Sequence, residues 1–363
     1  ANYNVAVGYS SLSALTSGDS NTAIGMNAGQ DVTTGSNNTL IGQGAGTDIT
    51  TGVNNVVVGY DAFLTADGDE DYNTVIGAGA GQSIDHDNAD FNVLIGNGAG
   101  TGGAAAMMKC IVIGSAAMDA TAGNAQTGTV AIGHDALTAL TTGVQNVAIG
   151  YQSLSAANTG GYNTAVGYHA GKAITDGAHN VAVGRMALLN EDQGESCTAI
   201  GAAALYTQNG GDAILGNTGI GSNAGYHNVT GTNNTLVGYG AGAGASGQSH
   251  SDNTGVGKDA LKVITTGGTN VAVGALAGVA LTTGTENTAV GYSALPDNQT
   301  ATGCTAVGRT SLNATTGQYN TAVGVNSGDT ITSGTNNVCI GATTDVSVSG
   351  AVNQIVIGYG ATG

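Results

Sequence analysis

Val or Ile followed by glycine recurs along this chain at near-constant spacing, and the residues around each such glycine repeat their polarity in step. There are 21 of these anchor glycines, from Gly8 to Gly358, and 13 of the 20 intervals between them are 17 residues long. Counting from the anchor, position −1 is Val or Ile in all 21 copies and −3 is always Thr, Val or Ile. Position −2 is mostly Ala, as at Ala6, Ala148 and Ala289. β-Branched residues two apart are strand chemistry, because successive side chains alternate faces and branching at Cβ suits a pleated surface. The pattern predicts a β-branched face that fills a core and an opposite face of Ala and Gly that allows close packing.

Position −4 is Asn in 16 copies, including Asn21, Asn38, Asn163 and Asn270. Asn tolerates left-handed backbone geometry, which predicts a corner there and, in stacked coils, a ladder of Asn side chains. After the anchor, position +3 is small, +4 is usually Leu or Gly, and +7 is apolar in the regular copies, as at Leu15, Val32 and Ile174. A Thr-Thr-Gly group then closes the unit, as at Thr33-Thr34-Gly35 and Thr141-Thr142-Gly143. Each unit reads as two short strands and two turns. The 64 glycines, placed in step with the apolar residues, exclude helix.

A period this short belongs to a solenoid. The expected architecture is all-β: one continuous parallel β-solenoid or β-roll domain over residues 1–363, about 21 coils with a period near 17 residues. At a strand spacing of about 4.8 Å such a stack is on the order of 100 Å long. The structural positions expected to define it are Asn21, Asn38, Asn163 and Asn270 with Gly25, Gly167 and Gly291. The chain starts and stops in frame with no polar cap, so we expect a fragment of a longer fibrous protein.

The string Asn-Thr-Ala-Val-Gly-Tyr-x-Ala, at Asn163–Ala170 and Asn287–Ala294, resembles the repeat unit of trimeric autotransporter adhesin heads, which form left-handed parallel β-rolls. It is also similar to repeat arrays in phage tail fibres and large bacterial surface proteins. The resemblance covers essentially the whole chain, although adhesin heads run a few residues shorter per coil. It implies homotrimers with the small-residue face of each roll towards the axis, an extracellular place on a cell-surface appendage or virion tail fibre, and adhesion as the setting.

Composition narrows the function further. Net charge is −18 with six Lys and Arg, which disfavours nucleic acid as a partner, since phosphate binding needs a basic face. No apolar stretch is long enough to span a membrane, so no membrane insertion is expected. Aromatics are 4% with no Trp, so the core must be thin. Cys110, Cys197 and Cys304 occupy the Asn position and Cys339 the small strand position. Free buried thiols are expected there, with bridges between chains as the alternative.

The irregular coils hold the candidate chemistry. Asp67, Asp69 and Asp71 in one turn, and Asp85 and Asp87 in the next, offer the oxygen ligands that Ca²⁺ takes. They match no calcium-loop signature, so solvated acidic turns are the expectation and no cofactor is required. Tyr206 to Asn217 reads as a projecting loop in the longest interval. The six His are scattered without ligand spacing and no nucleophile elbow appears, so no enzyme is expected. Tyr follows the anchor seven times, as at Tyr151 and Tyr168, either capping the roll at its corners or forming a strip for sugars or surfaces.

The function expected is therefore a structural and adhesive fibre segment, a stiff extracellular spacer. Its partners would be further copies of itself, most simply in a trimer, and a host-cell, prey or surface receptor gripped by regions outside this segment. The alternatives are an ice- or surface-binding solenoid using stacked Thr, such as Thr50-Thr51 and Thr265-Thr266, and receptor or glycan binding by the shaft itself.

Overall fold

A computed structural model describes the whole chain except residues 67, 85, 87, 88, 103–106 and 122–123. The described residues form two compact units, Ala1–Asn180 and Val181–Gly363. Each is a parallel β-solenoid, and no helix occurs among the described residues. In the first unit ten three-residue strands, from Val5–Val7 to Thr164–Val166, pair side by side in chain order. Eleven more, from Val181–Val183 to Ile355–Ile357, do the same in the second. Register follows the anchor: Val5 faces Thr22, Ala6 faces Ala23 and Val7 faces Ile24. The parallel β-solenoid read from the period is the fold observed.

Two details differ from the sequence reading. Each coil holds one regular strand, not two; the rest is turn, apart from the short pair Met107–Met108 with Gln126–Thr127 and a few isolated bridges. Left-handed residues at +2 and +4, such as Asn27 and Gly29, break the strand pattern there. They do so without losing hydrogen bonds. The Asn27 N–H donates to the Tyr9 carbonyl one coil back at 2.8 Å, and the Gly29 N–H to the Ala45 carbonyl one coil forward at 3.0 Å. Polar backbone is thus satisfied along the stack even where no strand forms.

The second difference is the orientation of the faces. The middle residue of the strand triplet, expected on a packing face, is buried in every triplet but the first: Ala23, Leu40, Ala165, Ala272 and Ala306 have no exposure. The β-branched residues beside it point outwards, with Ile24 at 40% exposure and Ile340 at 39%. Interior space explains the reversal. Inside each coil the −2 residue shares a thin layer with the small +3 residue and the +4 and +7 side chains, as in the buried set Ala23, Ala28 and Val32. A Cβ at Gly171 would already lie 2.9 Å from Leu154 Cδ2, 3.0 Å from Ile174 Cδ1 and 3.7 Å from Ala165 Cβ. Most coils place a small residue at −2 or a glycine at +4, although Val57 with Phe63 and Val112 with Met118 bury larger side chains at both. Leu40 shows the exchange, since a Cβ at Gly29 would come within 2.5 Å of its Cδ1.

The Asn at −4 is buried and forms a ladder. In Asn270, the N–H and Nδ2 both donate to Asn253 Oδ1, at 3.0 and 3.1 Å. Nδ2 also donates to the Gly284 carbonyl at 2.9 Å, and Oδ1 accepts from the Asn287 N–H and Nδ2. Asn21 and Asn38 connect in the same way, and Asn163 takes the rung between Asn146 and Asn180. The left-handed residue is not this Asn but the one before it, as at Ser20, Tyr162, Thr269 and Glu286. That exposed corner residue absorbs the backbone strain, leaving the Asn to turn its amide inwards.

The anchor glycine is fixed by φ and by proximity together. Gly25, Gly167 and Gly291 have φ of +142°, +138° and +132°, a region closed to side chains. A Cβ on Gly25 would lie 2.3 Å from the Gly42 carbonyl oxygen.

We expect Asn270→Leu to lower the urea unfolding midpoint strongly, since each buried group left unpaired costs roughly 1–3 kcal/mol. Asn270→Cys should cost clearly less, because three coils already carry Cys at −4. Gly291→Ala should be at least as damaging as Asn270→Leu, as its Cβ would meet Gly308 C and O at 2.8 Å. Equal midpoints for the Leu and Cys variants would show that the ladder does not carry this stability.

Candidate functional site

The cysteines fit the ladder. Cys304 donates its N–H to Asn287 Oδ1 at 3.0 Å and its thiol to the Gly317 carbonyl at 3.4 Å. Its sulfur accepts the Asn320 N–H, so it takes both roles of the Asn it replaces. Cys110 and Cys197 likewise accept from Thr129 and Asn217. All four thiols are buried and unbridged. Burial pushes Cys197 up to about 12 and Cys339 up to about 11, so these are poor nucleophiles and poor metal ligands.

The acidic turns serve the backbone. Asp71 and Asp90 occupy position −6, where the side chain accepts the N–H of the same position one coil back. Val53 donates to Asp71 Oδ1 at 2.7 Å and Asp71 to Asp90 Oδ1 at 2.8 Å. Ser36 and Ser251 do the same for Asp19 and Thr232. Burial, with the charges of Asp90 and Asp69 adding to it, raises the Asp71 carboxyl. Asp69 is exposed, while Asp67, Asp85 and Asp87 lie outside the described residues. Among the described residues no group of three or more His, Cys, Asp or Glu is gathered to hold a metal ion.

The Thr pairs are engaged as well. Thr33 donates its hydroxyl to the Thr50 carbonyl at 3.1 Å, and Thr265 to that of Thr282 at 3.0 Å. The first Thr of these pairs thus ties its coil to the next, a role that Thr316, the second of its pair, takes towards the Thr332 carbonyl at 3.1 Å. Among the described residues no helix is long and apolar enough to cross a membrane.

Three surfaces remain for recognition. One is the β-branched outer face of the sheet in each unit. Another is the corner aromatics, which are exposed instead of capping the roll. Tyr151 stacks with Tyr168 at 5.5 Å and with His134 at 5.6 Å, and Tyr72 with Phe91 at 5.0 Å. Stacking ring on ring along the coils leaves mainly ring edges outward.

The third surface is an open groove of about 490 Å³ in the second unit, lined by Arg185, Met186, Tyr206, Asn223, Tyr226 and His227 among others, none of them acidic. It lies beside the longest interval, from Gly201 to Gly221. The extra residues there form a loop whose ends, Gln208 and Leu215, are buried and whose tip, Asp212–Ile214, is exposed. Glu191, fully buried, secures the loop by accepting N–H groups of Gly194 at 2.7 Å and Gly210 at 3.4 Å. Tyr206 and Tyr226, both at +5, stack at 4.8 Å within 4° of parallel. The sequence signal for this groove was present but faint: Arg185 stands at +1, where seven coils carry Tyr.

Comparison with known proteins brings no match, either to a protein-family model or to a curated sequence.

Two titrating groups give the second unit opposite pH slopes. His250 is buried, with Nδ1 3.3 Å from Asn234 Oδ1 and Nε2 3.2 Å from the Gly242 carbonyl. Burial pushes its pKa down to about 4, against a smaller upward pull from Gly242. The unfolded chain takes up this proton near pH 6.5, so the stability involved is intact above that pH and is lost as pH falls towards 4. Asp329 is held up to about 6, first by its hydrogen bond to the Asp345 carboxyl, then by burial and the Asp345 charge. Its contribution is present below about 3.8 and is lost as pH rises through 6. In thermal melts across this range, His250→Gln should flatten the acid-side loss. Asp329→Asn should raise the melting temperature above pH 6 with little effect near pH 4. Parallel melting curves for wild type and both variants would contradict the assignment.

Proposed function

We propose that this chain is a segment of a structural fibre, in which copies associate through the outer sheet face to make a stiff, non-enzymatic extracellular spacer. The observation that carries the reading is the exposed β-branched pair in the strands of both units, with Ile24, Ile41, Val56 and Ile76 in the first and Ile200, Val271, Val273 and Val323 in the second. Over ten coils such a face is on the order of 1,000 Å², the area that a stable interface needs, and exceeds what a monomer usually leaves bare. No charged residue stands at −1 or −3 in any coil, so nothing on this face opposes apolar contact.

The choice of three copies rests on the resemblance to adhesin heads, but with the packing faces exchanged. The Ala face that was expected to meet the axis fills each roll, so the β-branched face is the one available to partner chains. The acidic charge of the whole, −18, works against unspecific bundling of finished fibres. Adhesion itself, to a cell, prey or surface receptor, is assigned in this proposal to regions outside the segment.

Sedimentation at micromolar concentration should give a multimer, with three as the expected number. The triple substitution Ile24→Lys, Ile41→Lys, Ile76→Lys should shift it towards monomer while leaving the β circular dichroism unchanged. A wild-type monomer would overturn the reading.

A further inference from the structure

We propose that the groove of the second unit binds a carboxylated sugar, with Arg185 as the anion partner and the Tyr206–Tyr226 stack as the apolar wall. Arg185 is exposed, and among the described residues its guanidinium makes a single polar contact, to Met186 Sδ at 3.2 Å. No acidic residue lies within ion-pair distance of it among the described residues. Among the described residues Lys262 alone of the six basic residues has an acidic partner, Asp259 at 3.2 Å, so what sets Arg185 apart is its place in a groove with no acidic lining. In a chain so acidic, an unpaired arginine in an open groove whose lining holds no carboxylate is a local reversal of the field. A guanidinium offers paired N–H donors that match a carboxylate in two-point geometry.

The rest of the lining suits a sugar ring better than a bare anion. Among the described residues the phenol hydroxyls of Tyr206 and Tyr226 and the side-chain amide of Asn223 make no hydrogen bond, which leaves donors and acceptors for sugar hydroxyls. The two parallel rings supply apolar surface for the C–H face or edge of a pyranose, and His227 stands edge-on to Tyr226 at 4.6 Å. A volume of about 490 Å³ falls within the range of small-ligand sites.

The wall is held before any ligand arrives. Thr207 donates its hydroxyl to the Tyr226 carbonyl at 2.8 Å and Gln208 its amide to the Val229 carbonyl at 2.8 Å. Ala203 N–H reaches back to the Arg185 carbonyl at 2.9 Å, so three successive coils present their groups in fixed register. All lining residues come from positions outside the strand triplets. The proposal therefore stands whether or not copies associate through the sheet face.

Calorimetric titration of the whole chain tests it with two acidic probes, a galacturonic acid trimer and N-acetylneuraminyl-lactose, against maltotriose, lactose and inorganic phosphate. At least one acidic probe should bind with a Kd on the order of 1 mM or tighter, and its neutral counterpart at least about tenfold more weakly. Which acid binds separates a uronic from a sialic source. Arg185→Gln and Tyr206→Ala should each weaken binding about tenfold or more while keeping the wild-type unfolding midpoint. Binding of neither acid, equal binding of acid and neutral sugar, equal binding of phosphate, or an unaffected Arg185→Gln variant would each overturn the proposal.

Discussion

Every coil in this protein must offer its backbone N–H and C=O groups to the coils before and after it, residue for residue. That requirement governs the rest of the structure. Successive anchor glycines approach so closely that a Cβ on Gly59 would sit 2.3 Å from the Gly77 carbonyl oxygen. The approach also dictates the glycine that closes Thr-Thr-Gly: a Cβ on Gly35 would lie 2.5 Å from the Gly52 carbonyl oxygen. With φ at +2, +4 and −5 held positive in residues as different as Leu, Tyr and Glu, each coil carries local strain of order 1–3 kcal/mol per site. The repeated hydrogen bonds and the buried Asn ladder offset it. A coil in isolation has no such compensation, which is why the unit exists only as a stack.

The narrow interior follows from the same closeness. Volume is exchanged between positions −2 and +4, often across neighbouring coils. Leu236 stands at −2 beside glycines at Gly225 and Gly242, and a Cβ at those glycines would come within 3.1 and 2.4 Å of its methyls. Leu205 at +4 faces Gly219 at −2 of the next coil, where a Cβ would be 2.9 Å from Leu205 Cγ. In a closely packed interior a larger residue at one of these positions is thus commonly matched by a glycine at the other. The β-branched residues at −1 and −3 are left outside and define the outer face, while those at +7, such as Val32, Ile49 and Ile174, fill the interior.

The period, the strand position and the parallel stacking were legible from the recurring Val/Ile-Gly pair, because only a one-coil repeat keeps apolar and glycine positions in step over such length. The direction of the faces was not. Alternation shows that Ile24 and Ala23 lie on opposite sides; which side is inward depends on how near the opposite wall comes, and that is a property of the folded coil. Size misled in this case, since exposed apolar residues are common and buried ones need only fit. The left-handed corner was also misassigned to Asn21, when Ser20 holds it. Position −5 has no residue signature because its side chain is exposed and unconstrained, from Tyr72 to Lys109 to Glu286. For the groove, Tyr206 and Tyr226 are 20 residues apart, and only the structure shows that the stretched interval keeps them in register.

That stretched interval shows how a strict repeat can carry chemistry. The 20-residue coil preserves its strand, its buried Asn217 and its anchor Gly221, so the added residues cannot enter the stack. They leave at Gln208 and return at Leu215, and the backbone groups this exposes are met by side chains in place of neighbouring coils. Gln208 donates to Val229 and accepts from Asn217 at 2.9 Å, while Glu191 collects the N–H groups around Gly194 and Gly210. A buried carboxylate is costly unless it receives several donors, and burial raises its pKa despite them. Its presence beneath the loop is the expense of departing from the period. Glu191 stands at +7 of the preceding 17-residue coil, where most regular coils carry an apolar residue, and the departure coincides with the groove in which arginine and aromatic side chains face open space. In this architecture the repeat supplies the scaffold, and specific recognition becomes possible where the repeat is interrupted and side chains such as Gln208 and Glu191 take over hydrogen bonds from neighbouring coils.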